Sequence, residues 1–294
     1  MFAPRRLHRA SPPPQRAWVR AAPLLWLSLG LALLVGARAE AKTYRFGVVP
    51  QFARETLEAT WRPVLDELTK STGLEFELVL DNDIAAFEQR LAKGELDFAY
   101  CNPYHSLIAR QKTKYEPLVR DGGRKLQGIL VVRKDSGVTS LKELDGQTLA
   151  FPAPNALAAS LVIRAHLKRD QKVSAKAVYV KNHDNVYRAV VEGKAKAGGG
   201  VMKTLQAQPP EIRDQLTVLY TTTAMAPHPV IAHPSVDKAL QQKVQRALLA
   251  LGDTDAGRTL LAPIPIKKIV AATIADYRPL MWWGLQDFYV EGAD

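Results

Sequence analysis

Residues 44–80, YRFGVVPQFARETLEATWRPVLDELTKSTGLEFELVL, decide the fold class of this chain. The stretch opens with the apolar run YRFGVV (44–49) and closes with FELVL (76–80), and each run has the length of a buried strand. Between them, apolar residues recur at helical spacing in residues 55–73 at Leu57, Trp61, Val64, Leu65 and Leu68. Because a helix joins the two strands, the pattern predicts parallel pairing.

The same alternation continues along most of the chain. Further apolar runs predict strands in DFAYC (97–101), QGILVVRKD (127–135), LAF (149–151), AVYV (177–180), AKAGGG (195–200) and LTVLY (216–220). Amphipathic stretches lie between most of these runs. Repeated strand–helix–strand units predict an α/β fold, with a mostly parallel sheet covered by helices on both faces.

The pattern changes twice, which predicts two lobes instead of one sheet. A long strand near 131–134 leaves the first set of units, and PHPVIAH (227–233) returns to a largely helical tail. We therefore expect lobe 1 to contain residues 40–130 and 228–294, and lobe 2 to contain residues 131–227. Two hinge strands would join them, and ligands of such sheets bind beyond the carboxyl ends of the strands, here in the cleft between the lobes.

The N-terminus, residues 1–39, has the features of a secretory signal. It carries arginines and no acidic residue, then an apolar run from Ala21 to Val35 that is short for a membrane span, then the small residues of Ala37-Arg38-Ala39. We expect cleavage after Ala39 and a periplasmic protein. The alternative is an uncleaved membrane anchor.

Charge and cysteine content exclude several classes of protein. Loss of the leader removes six arginines and no acid, which lowers the net charge from +11 to +5. Basic and acidic residues are intermixed, without the dense basic stripe of a nucleic-acid-binding protein. The single cysteine, Cys101, excludes an intramolecular disulfide. Neither Cys101 with His105 nor the other histidines show the spacing of a catalytic or zinc site, so we expect no enzyme, cofactor or metal.

The stretch AFPAPNALAAS (150–160) predicts a binding corner. A strand runs into two prolines, Asn155 and a helix, and at such a corner backbone N–H groups converge on an anion. Side-chain hydroxyls are missing, because Ala156, Leu157 and Ala158 occupy the first turn. The alternative is an ordinary Asn N-cap with packed side chains behind it.

Several stretches taken in order resemble a known family. They are YRFGVVPQ, GELDFAYCNPYHSL, DSGVTSLKELDGQTLAF, the helix after APN, and NHDNVYRAVVEGKAKAG. Together they resemble the phosphate/phosphite/phosphonate-binding family of bacterial ABC-transporter periplasmic solute-binding proteins, over about 43–289. The resemblance implies a type II periplasmic-binding-protein fold whose lobes close on a small oxyanion. It also implies delivery to an inner-membrane permease and no catalysis.

The resemblance carries some binding residues over and leaves others in doubt. Tyr100, Asn102 and Tyr104 stand where the family offers polar and aromatic groups, although Tyr100 also suits a core. His183 stands at the family's pocket histidine, with a surface position as the alternative. A Ser-Thr-Ser run is replaced by Ala156, Leu157 and Ala158, and an acidic residue that pairs with a ligand amine is replaced by His228, which a hinge position would also explain.

Two further residues are candidates on position alone. Gln51 follows the first strand, at the corner that corresponds to AFPAPN in the other lobe. Gly199, within a run of three glycines, is a candidate for ligand contact through its backbone N–H, or simply lets chain segments approach.

The sequence leaves transport and sensing open. The predicted function is capture of a small anionic ligand by a monomeric binding protein of an ABC importer. The alternative is a soluble periplasmic subunit that presents its closed form to a sensor kinase and binds a different oxyanion or an organic anion. Both use the same ligand-driven closure.

Overall fold

The computed structural model describes Phe2, Ser11, Pro14 and residues 42–264 and 266–291. The predicted signal, residues 1–39, therefore lies almost entirely outside the described residues. Residues Lys42–Asp294 form one compact unit. Within the described part of the chain, no helix has the length and apolar character needed to cross a bilayer.

The described residues alternate strands and helices as predicted. The strands are β1 Thr43–Val48, β2 Glu75–Leu80, β3 Phe98–Tyr100, β4 Glu116–Asp121, β5 Gly128–Arg133, β6 Thr148–Phe151, β7 Lys176–Tyr179, β8 Ala197–Val201, β9 Leu216–Thr221, β10 Pro229–Ala232 and β11 Ile269–Ala271. The α-helices are α1 Arg54–Thr72, α2 Ile84–Ala92, α3 Pro103–Thr113, α4 Val162–Ala165, α5 His183–Val191, α6 Met202–Gln206, α7 Pro210–Arg213, α8 Lys238–Ala250 and α9 Asp255–Leu261.

The first lobe is built on a six-stranded sheet with the order β11-β4-β10-β3-β1-β2. Strand β1 pairs in parallel with β2 and β3, which confirms the strand–helix–strand unit of residues 44–80. The predicted apolar stripe of α1 is buried, including Trp61 and Leu68, and its C-cap Gly73 has the left-handed φ of 67° that ends the helix. Strand β10 returns from the second lobe and runs antiparallel to β3 and β4.

The second lobe is built on a five-stranded sheet with the order β7-β6-β8-β5-β9. Strand β6 pairs in parallel with β7 and β8, whereas β5 runs antiparallel to β8 and β9. Each lobe has its own α/β sheet, and each sheet contains a strand that directly follows a crossing from the other lobe: β10 in the first sheet and β5 in the second. This is the predicted two-lobed type II architecture.

Two chain crossings connect the lobes. The chain leaves the first sheet after Asp121 and enters the second at Gly128, and it returns between Thr221 and Pro229. The crossings pair with each other through Leu126 and Met225, whose N–H groups each donate to the other's carbonyl at 2.9 Å. The lobe boundaries that the sequence predicts, at residues 131 and 228, remain a prediction.

The C-terminal segment makes a contact that the sequence did not indicate. Short 3₁₀ turns, Arg278–Trp283 and Leu285–Asp287, place Leu280 and Leu285 in one apolar cluster with Leu161 of the second lobe. Residues 278–291, expected in lobe 1, therefore pack on the helix of lobe 2. Their backbone also bonds to residues at this helix: Val290 N donates to Asn155 Oδ1, and Arg164 donates to Phe288 O, each at 3.0 Å.

Candidate functional site

The corner after β6 leads into a continuous helix over residues 157–170. Leu157–Leu161 and His166–Asp170 are π-helical, and α4 lies between them. The first backbone bonds of the helix run from the N–H groups of Ser160 and Leu161 to Ala156 O. Among the described residues, the N–H groups of Leu157, Ala158 and Ala159 have no acceptor. Such free groups, together with the helix dipole, favour an anion.

Two glycines let this helix start lie directly on the sheet. A Cβ atom on Gly128 would lie 1.9 Å from Ala158 O, and one on Gly199 would lie 1.8 Å from Ala159 O. Any side chain at either position would push the corner away from β5 and β8. Gly199 therefore serves the close approach of two chain segments, the second of the two roles considered for it.

His183 is buried at the start of α5, where Asn182 caps the helix. Its Nδ1 atom lies 3.0 Å from Thr204 Oγ1, and that hydroxyl lies 2.7 Å from the hydroxyl of Tyr187. Burial lowers the pKa of His183 to about 4, so the ring is neutral at pH 7. A neutral ring held through Nδ1 leaves Nε2 available to a ligand.

His228 lies beside the second crossing and is buried against Tyr100, with ring centroids 5.4 Å apart. Burial lowers its pKa to about 3, and the nearby His105 and His183 contribute in the same direction. It therefore presents a neutral imidazole to the cleft. Tyr100 lies behind it in the core, where burial raises the pKa of the phenol.

A small cavity between the lobes brings most of the predicted residues together. Its volume is about 20 Å³, and its lining residues are Val49, Gln51, Ile84, Asn102, Ala156, Leu157, Ala158, Ala159, His183, Val201 and His228. No lysine, arginine, aspartate or glutamate is among them. The structure is therefore a closed form, since this volume accommodates about one water molecule.

A polar cluster behind the cavity joins the lobes and the C-terminal segment. Asn155 Nδ2 lies 3.0 Å from Glu88 Oε2 and 2.8 Å from Val290 O, and its Oδ1 accepts from Val290 N at 3.0 Å. Asn102 Nδ2 donates to Asn155 O at 3.1 Å, and Asn102 Oδ1 caps α3 by accepting from His105 N. Asn155 is therefore an interlobe tie and does not line the cavity.

Sequence reasoning missed Glu88 and considered His105 only as a partner of Cys101. His105 Nε2 lies 2.6 Å from Glu88 Oε1 and 2.8 Å from Asn102 Nδ2. Both side chains are buried or nearly so. Their positions within their helices, however, look in the sequence like those of ordinary surface residues. No signal in the sequence indicates the pair, because α2 and α3 meet only in the folded lobe.

Two predicted aromatic residues lie outside the small cavity. Tyr104 packs on Tyr289 of the C-terminal segment, with ring centroids 5.6 Å apart, and faces a different surface groove. Tyr100 lines the wider space beside the cavity. Cys101 is buried in the core, and burial raises the pKa of its thiol well above the usual value.

Two α/β lobes that close on a shared cavity define a solute-binding protein. The sequence profile of the family described as "ABC transporter, phosphonate, periplasmic substrate-binding protein" matches residues 46–277. The chain belongs to this family. The predicted role, the solute-binding component of an ABC transporter that works with a membrane permease, is thereby confirmed, and the sensing alternative has less support.

Individual relatives are distant in sequence. The phosphonates-binding periplasmic protein of Escherichia coli is 19% identical over 239 residues, which are 76% of this chain and 71% of that protein. The phosphate-import protein PhnD of Mycolicibacterium smegmatis is 22% identical over 174 residues, 53% of this chain and 54% of that protein. PhnD1 from Prochlorococcus marinus, solved with methylphosphonate, has a TM-score of 0.77 at 16% identity and covers 85% of this chain and 100% of that chain. At such identity a structural likeness shows the fold alone.

Proposed function

We propose that the cleft captures a phosphonate- or phosphate-type oxyanion and that lobe closure retains it for a permease. The observation that carries this proposal is the meeting of free backbone N–H groups with two neutral histidines. Leu157, Ala158 and Ala159 line the same cavity as His183 and His228. A partly or fully charged oxygen needs several donors when it leaves water, and this arrangement supplies them from both lobes.

The donor set also limits affinity. Serine or threonine at 156–158 would each add a hydroxyl, and a hydrogen bond to a charged group contributes roughly 1.5–3 kcal/mol. Since the chain has Ala156, Leu157 and Ala158 instead, we expect weaker binding of a dianion than a hydroxyl-lined site gives. The named relatives bind or import phosphonate or phosphate, which supports this ligand class over an amino acid or a sugar.

Binding requires the lobes to separate from the arrangement described here. A cavity of about 20 Å³ is smaller than any phosphorus oxyanion. The ligand-loaded form is therefore more open than this one, and the ligand shifts the balance between forms by its preference for one of them. The paired crossings at Leu126 and Met225 are the hinge of that motion.

The remaining parts of the proposal concern the chain as a whole. Export by a signal cleaved after Ala39, a periplasmic monomer, and the absence of catalysis all accord with a family of periplasmic binding proteins. The proposed site consists of Gln51, Asn102, Ala156, Leu157, Ala158, His183 and His228, with Tyr100, Tyr104, Asn155 and Gly199 supporting it from outside the cavity.

A thermal-shift screen of the purified protein tests the proposal. The panel contains phosphate, phosphite, methylphosphonate and sulfate, and calorimetry follows for each anion that shifts the melting temperature. A ligand at 100 times its dissociation constant adds about 2.7 kcal/mol to the free energy of unfolding. We expect a shift with a phosphorus oxyanion that is lost in His183→Ala and kept in His166→Ala, whose ring pairs with Asp170 away from the cavity. No shift with any phosphorus oxyanion would overturn the proposal.

A further inference from the structure

A wider cavity adjoins the small one on the side of the chain crossings. Its volume is about 280 Å³, and it shares Gln51, Val201 and His228 with the small cavity. Because these three residues line both cavities, the two cavities adjoin at them. A volume near 300 Å³ is at the lower end for small-molecule sites.

All the charged residues that line the wide cavity are basic. Arg124 and Lys125, from the first crossing, and Lys203, from α6 of the second lobe, line it, and no acidic residue is among its lining residues. Within the part of the chain that the structure describes, none of the three cations has a hydrogen bond or an ion pair with a carboxylate. Cations left without partners in a concave space concentrate anions there and repel cations.

The rest of the lining is mixed. Phe52, Leu126, Met202 and Pro227 are apolar side chains that line the wide cavity together with the cationic groups and with polar groups such as Gln127. An inorganic oxyanion confined to the small cavity would leave these side chains and the three cations without contact. A ligand with a short organic chain that ends in a second anionic group would contact both.

We propose that the ligand is an organic phosphonate or phosphate ester that carries a second anionic group, and that Arg124, Lys125 and Lys203 bind this second group. The inference rests on the proposed function, because it assumes that the phosphorus oxyanion occupies the small cavity in the opened form. It also gives the cleft a charge preference: neither cavity is lined by a carboxylate that could hold an ammonium group.

Calorimetry with three ligands that share a phosphonyl group tests the inference: methylphosphonate, phosphonoacetate and 2-aminoethylphosphonate. We expect phosphonoacetate to bind at least about tenfold more tightly than methylphosphonate, since three exposed cations each contribute a few-fold. 2-Aminoethylphosphonate should bind more weakly than methylphosphonate. Raising the salt concentration should reduce the advantage of phosphonoacetate.

Charge-neutral variants assign the effect to residues. Lys203→Gln and the double variant Arg124→Gln, Lys125→Gln should each lower phosphonoacetate affinity about threefold or more and leave methylphosphonate affinity within twofold. Lys243→Gln, an equal loss of charge on α8 outside both cavities, is the matched control. All four positions are partly or fully exposed, so folding is preserved.

The outcomes separate the inference from the proposed function. Equal binding of methylphosphonate and phosphonoacetate, or an advantage unchanged in the cavity variants, overturns the inference and leaves the proposed function standing. Binding of none of the three ligands, together with no shift by phosphate or phosphite, overturns the proposed function and the inference with it.

Discussion

The Nδ1 atom of His183 lies 3.0 Å from the Oγ1 atom of Thr204, and both side chains are buried. One assignment of protons satisfies the whole cluster: Thr204 donates to His183, and Thr204 Oγ1 accepts from the hydroxyl of Tyr187 and from Val201 N–H. Nε2 then carries the ring proton and is a donor. The reverse assignment, with Thr204 donating to Val201 O, makes Nε2 an acceptor. An oxyanion in the cavity accepts hydrogen bonds and therefore favours the first assignment, in which Nε2 is a donor.

Thr204→Val should therefore weaken anion binding although Thr204 does not line the small cavity. Valine keeps the shape and removes the hydroxyl that sets the tautomer of His183. We expect a loss of about tenfold in affinity for the phosphorus oxyanion, together with about 1–3 kcal/mol of stability, because Val201 N and Tyr187 lose a partner. Calorimetry and urea unfolding measure the two effects.

Thr217→Val is the control for Thr204→Val, since Thr217 is exposed on β9. It should change neither affinity nor stability by more than a small amount. Unchanged affinity in Thr204→Val, at full folding, would show that the hydroxyl has no part in orienting His183.

Acid should destabilise the protein through its two buried histidines. The pKa is about 4 for His183 and about 3 for His228, both below the usual 6.5, because burial disfavours the charged rings. Between pH 6.5 and 4 the unfolded chain binds protons that the folded chain does not, so stability is complete above pH 6.5 and falls as the pH falls. Each histidine contributes a slope of about 1.4 kcal/mol per pH unit.

Urea unfolding at pH 7, 6 and 5 measures this dependence. His228→Asn should give a shallower slope than the natural protein, because one buried neutral ring is removed. Equal stability of the natural protein at pH 7 and pH 5 would contradict the assignment of both rings as neutral and buried.

Much of the fold follows from local patterns in the sequence. The apolar stripe of α1, the strands beside it and the corner at residues 150–160 all have short-range signals, and these predicted both lobes and the cavity between them. Non-local contacts have no such signal. The packing of Leu280 and Leu285 on the second lobe depends on a chain segment more than one hundred residues away from its partners.

The candidate site divides in the same way. The position of His183 and of the helix start beside the cavity was predictable, because each follows a strand at the edge where ligands of parallel sheets bind. Glu88 could not be predicted, since only the folded structure places its Oε1 atom 2.6 Å from His105 Nε2. Gly199 was assigned on sequence to two possible roles, and the position of Ala159 O favours the packing role.

Ala158→Ser should increase oxyanion affinity by restoring one hydroxyl to the helix start. Ala158 lines the small cavity, which is only large enough for about one water in the closed form. We expect a gain of about threefold to tenfold, below the full value of a charge-assisted bond, because the hydroxyl also takes space. Calorimetry with phosphate and methylphosphonate measures the gain. Ala158→Val adds bulk without a donor and should weaken binding. A serine variant that binds no better than the valine variant would contradict a ligand at this helix start.

Asn155→Asp should open the contact between the lobes. The Nδ2 atom of Asn155 faces two acceptors, Glu88 Oε2 at 3.0 Å and Val290 O at 2.8 Å, and a carboxylate offers neither of them a proton. Because the side chain of Asn155 is buried, we expect a loss of about 2–4 kcal/mol in urea unfolding. Adding Glu88→Gln supplies an N–H donor from the opposite lobe, so the double variant should be more stable, by about 1 kcal/mol or more, than the sum of the two single changes predicts. Purely additive losses would mean that the Glu88–Asn155 contact does not hold the lobes together. A recovery in the double variant would assign the closed form to this pair of side chains.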